Sequence, residues 1–371
     1  MTRVLWLSKG LGRGGAEMLL LGLARAMDRH GIEVEVAYRL PHKDSLVPAL
    51  EAAGVPTHCL ADGRLGWLVE LRRLLASGHY DVVHTHAPLI GAAARIAAPR
   101  GLTVVHTEHN TWDRYHWATR LVNKVTLGRN LIVWGVSSQV AQSIRPMRGF
   151  RRPQVAVMLH GVDGASVRRG DQARASARTE LGLDETTFVF GTVGNLAPKK
   201  DHSTMLRAFA IARSTLPEAQ LIIVGTGPRE ATLRALASSL GISQAVVFTG
   251  MRDDVQDLLP AFDLFVLSSL HEGLSIAIIE ALAAGVPVVS TGVGGIPELI
   301  SDGENGVLVQ PRNESELARA MVRAASDPEL RTRLAAAGLK TAAKFGIQSA
   351  ADVLADYYRE RGSRIPAAVT R

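Results

Sequence analysis

The chain has 371 residues, a formal net charge of +7, 47% hydrophobic and 21% charged residues. That length allows about two domains, and the balance is that of a packed globular protein rather than a disordered or fibrous one. The single cysteine, Cys59, excludes an intrachain disulfide and a cysteine-rich metal site, and no run reaches the ~18 apolar residues of a membrane span.

The first residues, MTRVLWLSKGLGRGGAE, lack the apolar core and small-residue cleavage site of a signal peptide. A cytoplasmic location is therefore expected, with Cys59 as a small buried hydrophobe. Residues 1–170 hold 22 Lys/Arg against 12 Asp/Glu, whereas the remainder holds 20 against 23. A basic front half points to an anionic partner or to a solvated basic surface.

Arg3–Ser8 reads as a buried parallel strand, followed by a Gly-rich loop and a helix over 18–28. Strands are expected over 33–38, 81–84, 102–107, 131–136 and 154–158. Helices are expected over 68–76, 90–98, 112–127 and 137–144. Residues 164–180 are polar and charged, a linker leading into the first helix of a second half. There the strands are 188–193, 220–224, 246–248, 264–267, 288–290 and 306–308. The helices are 202–213, 229–240, 253–262, 275–284, 296–300 and 314–325. An amphipathic helix over 346–361 ends the pattern. Strands and helices alternating at this spacing give an α/β protein with two doubly wound parallel sheets.

The loop Gly10-Leu11-Gly12-Arg13-Gly14-Gly15 satisfies G-x-G-x-x-G, but Ala37-Tyr38-Arg39 stands where a dinucleotide fold needs an acid for the ribose. A nicotinamide oxidoreductase is thus the weaker reading. The loop still lets the backbone approach a phosphate or sugar. His84, His86, His106 and His109 fall at adjacent strand ends, where open α/β sheets bind ligands. They read as structural histidines or as a polar substrate site with His109 favoured; no carboxylate or cysteine completes an obvious metal set. Trp112, Tyr115 and Trp117 interleave with Arg114, Arg120, Lys124 and Arg129, and a further basic run is Arg145, Arg148, Arg151 and Arg152. That mixture suits an anionic membrane surface or a packed helix with solvated arginines. No nucleic-acid-binding module is present.

In the second half, Asn195 to Lys200 follows the first strand, where Lys199 and Lys200 can neutralise a diphosphate. The stretch 268–295 carries Glu272 in a loop and Glu280 in a helix. Ser275 is placed to N-cap that helix, and Gly285 with Pro287 to end it. Glu280 then lies roughly 7–9 Å beyond the helix start. The amides of Gly273 and Leu274 face the loop mouth, where a helix N-terminus favours an anion.

Several motifs occur together in order: GGAE at 14–17, DVVHTH at 81–86, TEHN at 107–110, HGVD at 160–163, GNL with Lys at 194–200, VGTGP at 224–228, and Glu-x7-Glu as Glu272 and Glu280. The chain thereby resembles the family 4 retaining glycosyltransferases of the GT-B fold, of the bacterial polysaccharide and lipid-linked saccharide type. The resemblance implies two Rossmann-like domains facing across a cleft. These are an acceptor-binding domain over 1–165, a nucleotide-sugar-binding domain over 166–345, and a last helix over 346–371 returning to the first domain. It implies that Glu280 holds the ribose hydroxyls and Glu272 lies beside the donor sugar. Gly273, Leu274, Ser275 and Lys200 hold the diphosphate, with Lys199 and Asn195 nearby. His109 lies near the reacting sugar, and Gly14 and Gly15 close over donor phosphate and acceptor. Many members have Arg where this chain has Asn195, and Asn where it has His160. No Asp-x-Asp stands in a suitable loop, so neither metal nor cofactor is expected, the nucleotide-sugar being a substrate. The implied activity is transfer from a UDP- or GDP-sugar to a saccharide or lipid-linked acceptor at the inner membrane face, without nucleic acid. A non-catalytic sugar- or lipid-binding protein on the same fold is the remaining alternative.

Overall fold

The computed structural model describes residues 2–12, 14–60, 63, 65–145, 149, 151–164 and 167–360. The chain divides into two compact units. One holds Met1–His160 with the last helix, Ile347–Arg359, and the other Gly161–Gly346. The divisions fall between His160 and Gly161 and between Gly346 and Ile347, rather than at 165 and 345. Within the second unit the Val162 N–H donates to the Phe345 carbonyl at 3.0 Å. A Cβ at Gly161 would lie 1.7 Å from that carbonyl oxygen, so only glycine fits there.

The first unit is built on seven parallel strands: β1 (Thr2–Ser8), β2 (Ile32–Tyr38), β3 (Thr57–Cys59), β4 (Val82–Thr85), β5 (Thr103–Glu108), β6 (Ile132–Gly135) and β7 (Gln154–Val157). Their order across the sheet is β3-β2-β1-β4-β5-β6-β7. Alternate residues of β1 serve opposite faces. Val4 and Trp6 join the core under helices Gly15–Asp28 and Ile347–Arg359, while Leu5 and Leu7 join the core under Gly66–Ser77 and Pro88–Ala97. A strand buried on both faces is why β1 reads as a continuous apolar run. The last helix is tied in by Tyr358, whose hydroxyl accepts from Trp6 Nε1 at 3.2 Å and meets His84 Nδ1.

The second unit has six parallel strands: β8 (Val189–Val193), β9 (Gln220–Val224), β10 (Val246–Gly250), β11 (Leu264–Leu267), β12 (Val288–Thr291) and β13 (Val307–Val309). The order β10-β9-β8-β11-β12-β13 reverses direction between β8 and β11. In the first unit the same reversal lies between β1 and β4. Crevices for ligands open at the C-terminal ends of strands at such points.

Five elements differ from expectation. The short helix Val47–Ala52 and strand β3 give too few residues for a period to register. Helix Pro328–Ala342, not expected from the sequence, buries only a few small or apolar residues. The supposed linker contains helix Asp171–Glu180. Its Arg174 and Arg178 pair with Asp263 at 2.5 and 2.7 Å, so charges that looked solvated anchor the helix. The expected helix over 112–127 is broken into a 3-10 turn, Trp112–Arg114, and helix Trp117–Thr126.

Candidate active site

In the second unit the loops after β8 and β11 meet at the switch point. The Leu270 N–H donates to the Lys199 carbonyl at 2.8 Å, and Ser268 Oγ donates to the Lys200 and Asp201 carbonyls at 3.1 and 2.9 Å. Asp201 is left-handed, with φ +45°, and starts helix His202–Ala212. Lys200 Nζ donates to Glu272 Oε1 at 2.6 Å, and Ser269 Oγ donates to the same oxygen at 2.6 Å. Both charged side chains are mostly buried, at 13% and 8% exposure. Burial alone would raise the Glu272 carboxyl, but the Lys200 charge and hydrogen bond, helped by Ser269, hold it below its usual value.

The Gly-rich turn after β12 buttresses this loop. The Gly295 N–H donates to the Gly273 carbonyl at 2.8 Å. Gly294 has φ +63°, and a Cβ there would lie 1.9 Å from the Glu272 carbonyl oxygen. Gly273 and Leu274 precede helix Ile276–Ala283, which ends as expected. The Gly285 N–H donates to Leu282 O at 3.1 Å and Val286 N–H to Ala281 O at 2.9 Å, with Gly285 at φ +74°. Ser275 occupies the N-cap position but makes no side-chain cap bond. Its buried Oγ has no hydrogen-bond partner among the described residues. Ser275 thus holds the expected cap position without the expected side-chain bond, which leaves its hydroxyl at the helix start. Glu280, partly buried on that helix, is pushed up to about 7 by burial, against a hydrogen bond from Gln256. One glutamate of the pair is thus held ionised and the other near its midpoint at neutral pH. Lys199 and Asn195 are exposed. Asn195 Oδ1 would lie 2.4 Å from a Cβ at Gly227, so its side chain leans on the turn after β9.

In the first unit, Gly14 is the N-cap of helix Gly15–Asp28, and the Glu17 carboxylate curls back onto it: a Cβ at Gly14 would meet Oε2 at 2.3 Å. Past β4 and β5 the histidines form a row. The ring centroids of His84 and His86 are 4.2 Å apart, His86 and His109 5.7 Å, and His109 and His160 6.1 Å. Burial holds His109 at about 4, opposed by Glu108 and reinforced by His106, so it is neutral near pH 7. Burial and the neighbouring His109 put His160 at about 3.

Glu108 went unnoticed in the sequence. It is buried at the end of β5 and collects the backbone N–H groups of His109 and Asn110, at 3.1 and 3.4 Å, and Trp112 Nε1 at 2.9 Å. The Tyr115 hydroxyl also donates to it, and His106 Nε2 is 3.5 Å away. Burial would raise it, but His106 and Tyr115 hold it below its usual value. These bonds turn Trp112 and Tyr115 inward, which is why the helix over 112–127 breaks. The signal was available: an acid at the end of an apolar strand needs partners.

The chain matches the family model described as Glycosyl transferases group 1 over residues 173–341, and that described as Glycosyltransferase Family 4 over residues 13–165. It is 30% identical to a D-inositol 3-phosphate glycosyltransferase of Stackebrandtia nassauensis, over 93% of this chain and 86% of that protein. The chain belongs to glycosyltransferase family 4. A putative glycosyltransferase of Bacillus subtilis, EpsD, is 28% identical over 78% of this chain and 79% of its own length. Among solved structures, Anabaena Alr3699/HepE in complex with UDP and glucose has a TM-score of 0.86, covers 97% of this chain and 100% of its own, and is 23% identical. The fold is that of the GT-B enzymes, with two Rossmann-like domains.

In this glycosyltransferase the expected site residues fall into two groups. Asn195, Lys199 and Lys200 follow β8, Glu272, Gly273, Leu274 and Ser275 follow β11, and Glu280 lies on the helix after that loop, all in the second unit. His109 and the Gly14-Gly15 loop belong to the first unit. Arg39, at the place of a ribose-binding acid, has its guanidinium 4.8 Å over the Trp67 ring. The oxidoreductase alternative thus gives way to sugar transfer.

Proposed function

We propose that the protein is a retaining, metal-independent glycosyltransferase that moves a sugar from a UDP- or GDP-sugar to a saccharide or lipid-linked acceptor in cell-surface polysaccharide synthesis. The observation that carries the reading is the Lys200–Glu272 ion pair at the switch point, followed at the start of the next helix by the Ser275 hydroxyl, which has no partner among the described residues. Lys200, the helix-start amides and Ser275 Oγ would receive the diphosphate. Glu280 would accept hydrogen bonds from the ribose hydroxyls. Glu272 would lie against the sugar, steering Lys200.

In the reaction the bond from the anomeric carbon to the diphosphate oxygen breaks, and a bond from that carbon to the acceptor oxygen forms on the same face. The acceptor proton passes to the departing phosphate oxygen. Negative charge grows on the diphosphate, so a fixed cation and aligned amides are worth more in the transition state than before it. Neutral His109 would orient hydroxyls and neither attack nor carry charge. The solved neighbour with UDP and glucose supports the donor class. The basic first half supports an anionic acceptor or surface, and a peripheral place at the cytoplasmic membrane face.

A thermal-shift screen of nucleotides and nucleotide-sugars tests the donor reading, since a ligand of the folded state raises its stability. UDP or GDP at about a hundred times Kd should add about 2.7 kcal/mol. A flat response across uridine and guanosine diphosphates and their sugars would sink it. Inositol phosphate joins the screen, because the Stackebrandtia nassauensis relative is named for D-inositol 3-phosphate.

A further inference from the structure

Helix Trp117–Thr126 is assembled inside out. A helix on a globular surface turns its apolar stripe inward and its polar face to water. Here the inward contacts are polar. Buried Arg95, on helix Pro88–Ala97, donates through Nε to Thr126 Oγ1 at 3.0 Å and through Nη2 to Asn123 Oδ1. Asn123 is itself buried. The outward row is apolar: Trp117, Leu121 and Val125 are 64%, 46% and 40% exposed. Their spacing of four puts them in one line along the helix.

The surroundings continue the pattern. Eight of the thirteen large apolar side chains exposed among the described residues lie on or just before three helices, Gly66–Ser77, Pro88–Ala97 and Trp117–Thr126. These helices pack side by side on one face of the first sheet. Cations border the row. Arg120 and Lys124 fall beside it on the helical wheel, each partly exposed, and Arg114 is exposed just before the helix. Long basic stems lie along apolar surface while their heads reach toward anions. Trp112 and Tyr115 take no part, being turned in toward Glu108. Arg145, Arg151 and Arg152 are exposed as well; Arg148 lies outside the described residues.

We infer that this face is a docking surface for an anionic lipid bilayer, with the Trp117–Leu121–Val125 row entering the headgroup boundary and Arg114, Arg120 and Lys124 pairing with lipid phosphates. An apolar row alone would suit any greasy partner; the bordering cations select an anionic one. The inference deepens the peripheral placement proposed above, and its test needs neither donor nor acceptor, so it fails separately from the sugar-transfer reading.

The experiment is flotation of the full chain with vesicles of phosphatidylglycerol and phosphatidylcholine, or of phosphatidylcholine alone. Binding to the anionic vesicles is expected, falling as salt rises. Trp117→Ser with Leu121→Ser should lower the bound fraction at least about tenfold. Arg120→Gln with Lys124→Gln should lower it on anionic vesicles and flatten the salt dependence. Ile211→Ser, at an exposed apolar position of the second unit, should leave it unchanged. Because these side chains are exposed or partly exposed, thermal midpoints close to the parent's are expected and show that the variants fold. No binding at low salt, or Trp117→Ser with Leu121→Ser binding like the parent, overturns the inference. So does a dimer in sedimentation that the same double substitution dissolves, since the occupant is then a second copy.

Discussion

Replacing Lys200 with methionine keeps most of the length of the side chain and removes its charge. Glu272 is then a mostly buried carboxylate that still accepts from the Ser269 hydroxyl but has lost its neutralising cation. Stripping one member from a buried pair typically costs 3–5 kcal/mol, and because these two side chains are not sealed off, about 3 kcal/mol is expected. For a unit of this size that is a fall in Tm of roughly 6–12 °C by calorimetry. Adding Glu272→Gln should recover most of the loss, because two neutral groups need no mutual charge. The pH dependence should also reverse. In the parent the Glu272 carboxyl is depressed, so its contribution is present above the unfolded value near 4.5 and lost as pH falls through the lower folded value. In Lys200→Met, burial is the main influence left, the carboxyl is raised, and stability is lost as pH rises. An unchanged Tm in Lys200→Met, or a double variant no more stable than the single one, would refute the coupling.

Other consequences concern neighbouring groups. Glu280, raised to about 7, contributes stability that is full below its unfolded value of 4.5 and lost as pH rises through 7. At 1.36 kcal/mol per unit, reduced for partial exposure, this is roughly 2 kcal/mol, and Glu280→Gln should flatten it in urea midpoints taken at acid and neutral pH. Glu108→Ala frees four donors at once and should cost roughly 3 kcal/mol or more by the same assay. The milder Glu108→Gln should lower turnover more than it lowers Tm, since it loosens the segment carrying His109. Because His109 sits at about 4, the rate should show no break between pH 5 and 7 that His109→Gln abolishes. Gly294→Ala forces an unfavourable φ and a contact with the Glu272 carbonyl; a loss of about 1–2 kcal/mol or more is expected, with weaker nucleotide binding in the same titration.

Most of the fold was legible because strands buried on both faces give unbroken apolar runs, and helices between them keep a 3.6-residue period. Val4, Leu5, Trp6 and Leu7 are such a run, split between two cores. Where that signal thins, the reading failed. Three residues in β3 have no period, and the polar stretch around Arg174 and Arg178 reads as a linker because their partner, Asp263, lies far along the chain. In the second unit, the adjacency of Lys200 and Glu272 was inferable from topology, since both follow strands flanking the switch. Their 2.6 Å bond was not, because it depends on the backbone stitching through Ser268, Leu270 and Gly294. In the first unit, the sequence offered aromatic and basic residues as one mixed set. Only packing separates Trp112 and Tyr115, drawn in by Glu108, from Trp117, left outside.

Calorimetric titration with UDP and with GDP tests the donor cradle most directly. The parent should bind at least one of them with measurable heat. Lys200→Ala should weaken that binding at least about tenfold through the lost diphosphate charge, and Glu280→Ala at least about threefold through the ribose. Equal affinity in the parent and both variants would contradict the cradle.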